Sequence, residues 1–198
     1  MSNAKTLLEF AGVQSKPANL TGATVIIIDA QNEYVDGQLP LHGIGQAVDK
    51  IAELIARARK AGAPIVHIVH KGRAGGLFDP DGNGGKMIER VLPSGARVIS
   101  KTLPNAFAKT DLDAQLKAIG NDAIIIVGFA THMCVSATAR AALDLGYRTT
   151  VVSDATATRT LPDPTDKGNI DAQDVHRVAL AELADRFASV VCLNEIPL

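Results

Sequence analysis

Residues 123–135, AIIIVGFATHMCV, decide the fold of this chain. The stretch opens with a run of apolar residues, and its glycine leads into a small-residue segment, 136–143, that favours helix. A run that is apolar on both faces is typical of a parallel strand covered on both sides. We therefore predict a buried strand that turns sharply into a helix. Cys134 lies at the start of this helix, where the helix dipole and unpaired N–H groups favour thiolate over thiol, so it is a candidate nucleophile.

The rest of the chain alternates between apolar runs of strand length and segments whose apolar residues have helical spacing. Strands are predicted over residues 23–29, 64–70, 97–100, 148–153 and 188–193, and helices over 44–61, over 110–119 and from about 171 onward. This alternation predicts an α/β fold with three αβα layers: a Rossmann-like, six-stranded, mostly parallel sheet with helices on both faces. Because no repeat or break divides the chain, we expect residues 1–198 to form a single domain, in which residues 1–22 are an N-terminal arm.

Composition and charge limit the classes of function. The chain has 198 residues, of which 46% are hydrophobic, and 20 Lys and Arg balance 21 Asp and Glu. Without a long basic stretch, neither nucleic acid nor an anionic membrane is an expected partner. No apolar run approaches the roughly 20 residues that span a bilayer, and the first residues lack the order of a secretory signal, so we expect a cytoplasmic location. Cys134 and Cys192 lie in different contexts and are expected as reduced thiols, with Cys192 in the core of the last strand.

Reactive side chains follow three of the predicted strands. Asp29 closes the first strand, Lys101 follows the third, and Cys134 lies after the fourth. Open α/β sheets bind ligands beyond the carboxyl ends of their strands, so these side chains should converge if the sheet brings the three strands together. Taken singly, each has an ordinary explanation: a turn for Asp29, a solvated charge for Lys101 and a small buried hydrophobe for Cys134. Spacing alone leaves these alternatives open.

The glycine-rich segment 72–85 contains DPDGNG, which resembles the start of a calcium-binding loop. The register fails, because the glycine comes too early and Arg90 stands where a bidentate glutamate is needed. We interpret the segment as a surface loop that borders the active site or a subunit contact.

Three motifs, taken in this order, resemble those of the isochorismatase-like hydrolases, a superfamily of small cysteine hydrolases. They are residues 25–32 (VIIIDAQN), residues 100–107 (SKTLPNAF) and residues 128–135 (GFATHMCV), followed by residues 153–155 (SDA). The resemblance covers nearly the whole chain. It implies a catalytic triad of Asp29, Lys101 and Cys134 and a non-proline cis peptide bond between Phe129 and Ala130.

The resemblance also implies a reaction. Asp29 would take the proton of Cys134, the thiolate would attack a carbonyl carbon, and the backbone N–H groups of Ala130 and Cys134 would receive the oxyanion. Lys101 would hold the anionic forms in place. Because Cys134 is retained, C–N bonds of small amide, ureido or carbamoyl substrates are favoured. The alternative is the vinyl ether that true isochorismatases hydrolyse without a thiol.

Further residues are candidates for contact with a small-molecule substrate. They are Gln31, Tyr34, Asn105, Phe107, Thr131 and His132. Asp154 is expected to have a cap or turn role. The Asp-x-His metal site of nicotinamidases has no counterpart after the second strand, so we expect no metal and no other cofactor. As in other members of the superfamily, we expect a homo-oligomer, a dimer or tetramer.

Two other classes of function remain open. Cys134 could be a low-pKa redox thiol that cycles through sulfenic acid, although Cys192 is not an obvious resolving partner. The fold could also be a binding scaffold without turnover. Retention of Asp29, Lys101 and Cys134 argues against a scaffold.

Overall fold

The structure is a computed structural model that describes residues 4–198. The helices are α1 (Leu7–Phe10), α2 (Ile44–Ala61), α3 (Leu112–Ile119), α4 (Ser136–Asp144) and α5 (Ala172–Arg186). The strands are β1 (Ala23–Ile28), β2 (Ile65–His70), β3 (Arg97–Lys101), β4 (Ala123–Phe129), β5 (Arg148–Ala157), β6 (Leu161–Pro162), β7 (Asn169–Ile170) and β8 (Ser189–Val191). Residues 1–3 of the predicted arm lie outside the described residues; the remainder of the arm contains α1 and the 3-10 turn Leu20–Gly22.

Six strands form one sheet in the order β3-β2-β1-β4-β5-β8, and each neighbouring pair is parallel. Every residue of β1 and β4 is buried, as their largely apolar runs predicted. One face of the sheet packs against α2, and the other packs against α3, α4 and α5. The predicted three-layer α/β fold is confirmed.

Gly128 allows the two central strands to approach each other next to the predicted site. Its φ is +112°, and a Cβ atom there would lie 2.0 Å from the carbonyl oxygen of Ile28. Any other residue would therefore clash with the backbone of β1. In the register of β1 and β4, Gly128 pairs with Ile28, the residue before Asp29.

Strand β5 is longer than predicted. It runs on to Ala157 through an irregularity, since Ile126 pairs with Val151 whereas Gly128, two residues later, pairs with Thr156. Asp154 lies in this bulge, where its Oδ1 accepts a hydrogen bond from the Leu193 N–H at 2.9 Å. It therefore ties β5 to the chain that follows β8.

The prediction for Cys192 was wrong. The last strand, β8, is an edge strand that ends at Val191, and Cys192 follows it with an exposed side chain. Its N–H donates to the Glu195 carboxylate at 2.8 Å as the chain turns away from the sheet. Between β5 and α5, the strands β6 and β7 pair as a small antiparallel ribbon.

In the part of the chain that the structure describes, no helix combines the length and the apolar character needed to cross a membrane. The cytoplasmic location and the homo-oligomer stay predictions.

Candidate active site

The three reactive residues meet at one edge of the sheet. Asp29 comes directly after β1, Lys101 ends β3, and Cys134 lies in a turn of π-helix, Thr131–Val135, that connects β4 to α4. Because all six strands are parallel, their carboxyl ends share this edge. All three side chains are buried, and Asp29 is fully so.

The Lys101 ammonium group lies at the centre of this cluster. Its Nζ is 2.6 Å from Asp29 Oδ2, 3.3 Å from Cys134 Sγ and 3.2 Å from His70 Nδ1. The contact with Asp29 is an ion pair, and those with Cys134 and His70 are at hydrogen-bond distance. Lys101 therefore supplies the positive charge that compensates the buried carboxylate.

His70 is a member of the cluster that the sequence reasoning missed as a site residue. It ends β2, the strand between those that carry Asp29 and Lys101, and the rule that selected those two would have found it. Ligand atoms of Asp29, His70 and Cys134 lie within 4.8 Å of one another, a grouping that resembles a metal site. Lys101 Nζ contacts all three residues and holds a positive charge at this grouping.

Burial sets the protonation of the cluster. It raises the pKa of the Asp29 carboxyl to about 6, against the opposing effect of Lys101, so Asp29 is mainly ionised at neutral pH. Burial and the charge of Asp29 raise the pKa of the Cys134 thiol to about 12. Burial, and then Lys101, lower the pKa of His70 to about 4, so its ring is neutral and accepts from the ammonium.

The expectation that the helix start favours a thiolate is therefore wrong for the resting site. Desolvation outweighs the helix dipole, and Cys134 rests as a thiol beside a carboxylate. A redox thiol of low pKa does not fit this environment. A thiol that transfers its proton to a neighbouring base does fit this environment.

The turn that carries Cys134 begins at an unusual bond. The peptide bond between Phe129 and Ala130 is cis. The carbonyl oxygen of Ala130 accepts hydrogen bonds from the N–H groups of Met133 and Val135, which closes the turn. Within residues 4–198, no backbone acceptor is found for the Ala130 N–H.

An isochorismatase domain model matches residues 23–195 of the sequence. The chain belongs to the isochorismatase family. A secreted isochorismatase effector, Isc1, of Verticillium dahliae is 35% identical over 198 residues, which cover 99% of this chain and 100% of that protein. The crystal structure of an isochorismatase from Pseudomonas putida KT2440 is 43% identical, with a TM-score of 0.93 over 98% of this chain and 100% of that one. The maleamate amidohydrolase of Pseudomonas putida is 29% identical and covers 91% of this chain and 84% of its own.

In this isochorismatase-family chain, three predicted contact residues have other partners. The Gln31 side chain is fully buried, donates to the carbonyl oxygens of His70 and Gly85 at 2.9 Å, and accepts from the His70 N–H at 2.8 Å. Asn105 Oδ1 accepts from the Phe107 N–H at 2.9 Å and closes a local turn. The Phe107 ring stacks on Tyr147, 5.8 Å between centroids, in the layer formed by α3 and α4. These contacts hold the three side chains in place, and their contact with a substrate stays a prediction.

Tyr34, a predicted substrate contact, is buried and lies close enough to the cluster to feel its charges. Burial, followed by the charges of Cys134 and Asp29, raises its pKa. Its ring packs edge-on against Phe78, at 5.1 Å, and Phe129, at 5.9 Å. Phe78 comes from the glycine-rich segment and also lies 5.1 Å from the His70 ring. The segment therefore borders the site, which was one of its two expected roles.

Glu33 holds the glycine-rich segment in place. Its buried carboxylate accepts from the Gln38 N–H at 2.6 Å and from the Phe78 N–H at 3.3 Å. A Cβ atom on Gly84 would lie 2.2 Å from Glu33 Oε2, so the glycine leaves room for this carboxylate. The glycine-rich segment, which lacks the residue spacing of a calcium-binding loop, is thus held in place by the buried carboxylate of Glu33.

Arg159 is a second residue that the sequence reasoning missed. It lies just beyond β5, is half-buried, and its positive charge acts on both Tyr34 and His132. Its Nη1 donates to the Thr160 carbonyl at 3.1 Å, and no carboxylate in the described chain forms an ion pair with it. A guanidinium in this state is free to bind an anionic group.

Proposed function

We propose that this isochorismatase-family protein hydrolyses the C–N bond of a small amide, ureido or carbamoyl compound through an acyl-enzyme on Cys134. One observation carries the proposal: a buried thiol, carboxylate and ammonium lie in direct contact, with 3.3 Å between Cys134 Sγ and Lys101 Nζ and 2.6 Å between Lys101 Nζ and Asp29. Such a thiol has a base within reach and a cation that stabilises its anion.

The first half of the reaction uses Asp29 as a base. The carboxylate takes the thiol proton, Cys134 Sγ forms a bond to the substrate carbonyl carbon, and the C=O electron pair moves onto oxygen. The free N–H of Ala130 and the N–H of Cys134 receive this oxyanion. Asp29 then gives its proton to the departing nitrogen as the C–N bond breaks, which leaves a thioester.

The second half repeats these roles with water. Asp29 takes a proton from water, the oxygen attacks the thioester carbonyl, and the C–S bond breaks as the proton returns to Cys134. Lys101 remains charged throughout and stabilises whichever of Asp29 and Cys134 is anionic. The products are a carboxylic or carbamic acid and ammonia or an amine.

Two observations narrow the substrate class. The name of the maleamate amidohydrolase identifies a relative that acts on an amide. The positive charge of Arg159, which has no ion-pair partner among the described residues and acts on Tyr34 and His132, favours a substrate that carries a negative charge at a distance from the scissile bond. We therefore expect anionic amides of the maleamate type to react better than neutral ones.

The test is ammonia release from a panel of maleamate, neutral amides, ureas and carbamoyl amino acids. The natural chain should release ammonia, and Cys134→Ala should abolish release while its melting temperature is retained. Cys192→Ala removes the exposed thiol and serves as the matched control, with full activity expected. A fully active Cys134→Ala protein would rule out the mechanism.

A second candidate function is vinyl ether hydrolysis of the isochorismate type. The raised pKa of Asp29 favours it, because a carboxyl of pKa about 6 is a competent proton donor near neutrality. The same variants separate the two functions, since Cys134→Ala should spare pyruvate release from isochorismate. Isochorismate turnover with no reaction of any amide would select this alternative.

A further inference from the structure

The π-helical turn is tied to its surroundings by two side-chain hydrogen bonds. Thr131 Oγ1 lies 2.9 Å from His176 Nδ1 of helix α5. His132 Nδ1 is hydrogen-bonded to Thr158 Oγ1, just beyond the end of β5. Two consecutive residues of the turn are thus anchored, one by a helix and one by a residue just beyond the end of a strand.

The His176 ring is the less expected of these anchors, because it reaches the turn from a helix that supplies none of the reactive groups. The ring is half-buried, and burial lowers its pKa against the effect of a hydrogen bond to the Ser153 carbonyl, so it is neutral near pH 7. Its bond to Thr131 connects α5 to the turn. Thr131 is fully buried, and His176 is the partner found for its hydroxyl among the described residues.

A buried hydroxyl without a hydrogen-bond partner destabilises the folded state. If the His176 ring were lost, we therefore expect Thr131 and its backbone to shift until the hydroxyl finds another partner. Thr131 follows Ala130 directly and comes three residues before Cys134. A shift of a few tenths of an ångström would displace both proposed oxyanion donors, and such donors act only when they are aligned with the developing charge.

We propose that His176 is a positioning residue, which holds the oxyanion turn in its reactive shape through Thr131. Among the described residues, no hydrogen bond or ion pair joins it to the thiol or to the other members of the cluster, and its proposed effect passes through its bond to Thr131. The inference rests on the proposed function for its kinetic readout, but its structural readout does not require turnover.

The kinetic test compares His176→Phe, which removes the polar ring atoms, with His176→Asn, whose amide places a donor and an acceptor near the position of Nδ1. We expect His176→Phe to lower kcat for ammonia release about tenfold with little change in KM, the size expected for one lost hydrogen bond. His176→Asn should restore most of this loss. Arg177→Gln, on the exposed face of α5, is the matched control and should keep full activity.

A double-mutant cycle identifies the path of the effect. Thr131→Val should lower kcat by a similar factor, and Thr131→Val with His176→Phe should be no worse than either single change, because both remove the same bond. Additive losses, or equal activity of His176→Phe and His176→Asn, would overturn the proposal in favour of simple packing.

Hydrogen exchange tests the same bond without a substrate. Peptides that cover residues 130–135 should lose protection in His176→Phe and Thr131→Val, and keep it in Arg177→Gln. Unchanged exchange in His176→Phe would overturn the proposal even if the enzyme is active. Faster exchange in a protein that hydrolyses no amide would instead contradict the proposed function and leave the positioning role of His176 standing.

Discussion

Replacing Lys101 by methionine tests whether the buried ammonium sets the pKa of Asp29, the proposed catalytic base. In the natural chain the Asp29 carboxyl has a pKa of about 6, raised by burial and lowered by Lys101. A base works only when ionised, so activity is lost as the pH falls through this value. Methionine retains the length and apolar body of lysine but removes the charge, so the pKa of Asp29 should rise.

The size of the effect follows from the contact. Lys101 Nζ lies 2.6 Å from Asp29 Oδ2, and both side chains are fully buried. An opposite charge this close lowers a carboxyl pKa by about 1–3 units, so the acid limb of the variant should move to about pH 7–9. The ionised fraction of Asp29 at pH 7 then falls by roughly 2- to 90-fold, on the scale of 1.4 kcal/mol per pKa unit.

The assay is the pH profile of kcat/KM for ammonia release between pH 5 and pH 10. Lys117→Met is the matched control, because Lys117 pairs with Asp113 at the same distance of 2.6 Å but with both side chains exposed or partly exposed. The control should leave the limb unmoved. An unmoved limb in Lys101→Met, with activity simply scaled down, would refute the assignment of Asp29 as the base.

Thermal unfolding gives an independent check of the same pair. A carboxyl whose folded pKa lies above its unfolded pKa contributes stability at low pH that is lost as the pH rises through the folded value. Lys101→Met should therefore lose little stability at pH 5, where Asp29 takes a proton. Well above its pKa the unpaired buried carboxylate should cost about 3–5 kcal/mol.

Three further substitutions test the surroundings of the site. Gly128→Ala should lower the free energy of unfolding in urea by more than about 3 kcal/mol, because the added Cβ would lie 2.0 Å from the carbonyl oxygen of Ile28. Gly146→Ala is its control: with φ +87° and open space around the Cβ position, it should lower the free energy of unfolding by only about 1 kcal/mol. Glu33→Ala should cost roughly 2 kcal/mol and speed hydrogen exchange in the glycine-rich segment, since two N–H groups lose their acceptor. Arg159→Gln should raise KM for maleamate about tenfold and leave KM for neutral amides unchanged, through loss of a charge-assisted contact; an equal change for both would contradict the anion-binding role.

The central strands were predictable because a run of apolar residues directly indicates a strand that is buried on both faces. The runs in β1 and β4 are apolar at nearly every position, and Asp29 stands out because it breaks one of them. The order of the strands was not predictable in the same way. Lys101 ends a strand two places from β1, and its ammonium crosses the end of β2, where it contacts His70, to reach Asp29.

The direction of side chains in loops was beyond the sequence. Gln31 and Phe107 lie in the motifs that resemble the family. The Gln31 side chain is nevertheless hydrogen-bonded to the backbone of His70, and the Phe107 ring stacks on Tyr147. Cys192 was misplaced for a related reason. An apolar run of strand length does not reveal that its strand is an edge strand, which pairs on one side and ends early.

The protonation of Cys134 was mispredicted because its position at a helix start suggested a thiolate, whereas the sequence does not show how deeply the thiol is buried. In the resting cluster, one ammonium and one carboxylate are the only charges, and Cys134 and His70 are neutral. Moving the proton from Cys134 to Asp29 leaves one ammonium and one thiolate, so the net charge of the buried site does not change. A site that had to create a new charge in this dry environment would face a large desolvation penalty. On the proposed mechanism, Lys101 removes that penalty, because its Nζ already lies within 3.3 Å of both places where the negative charge resides.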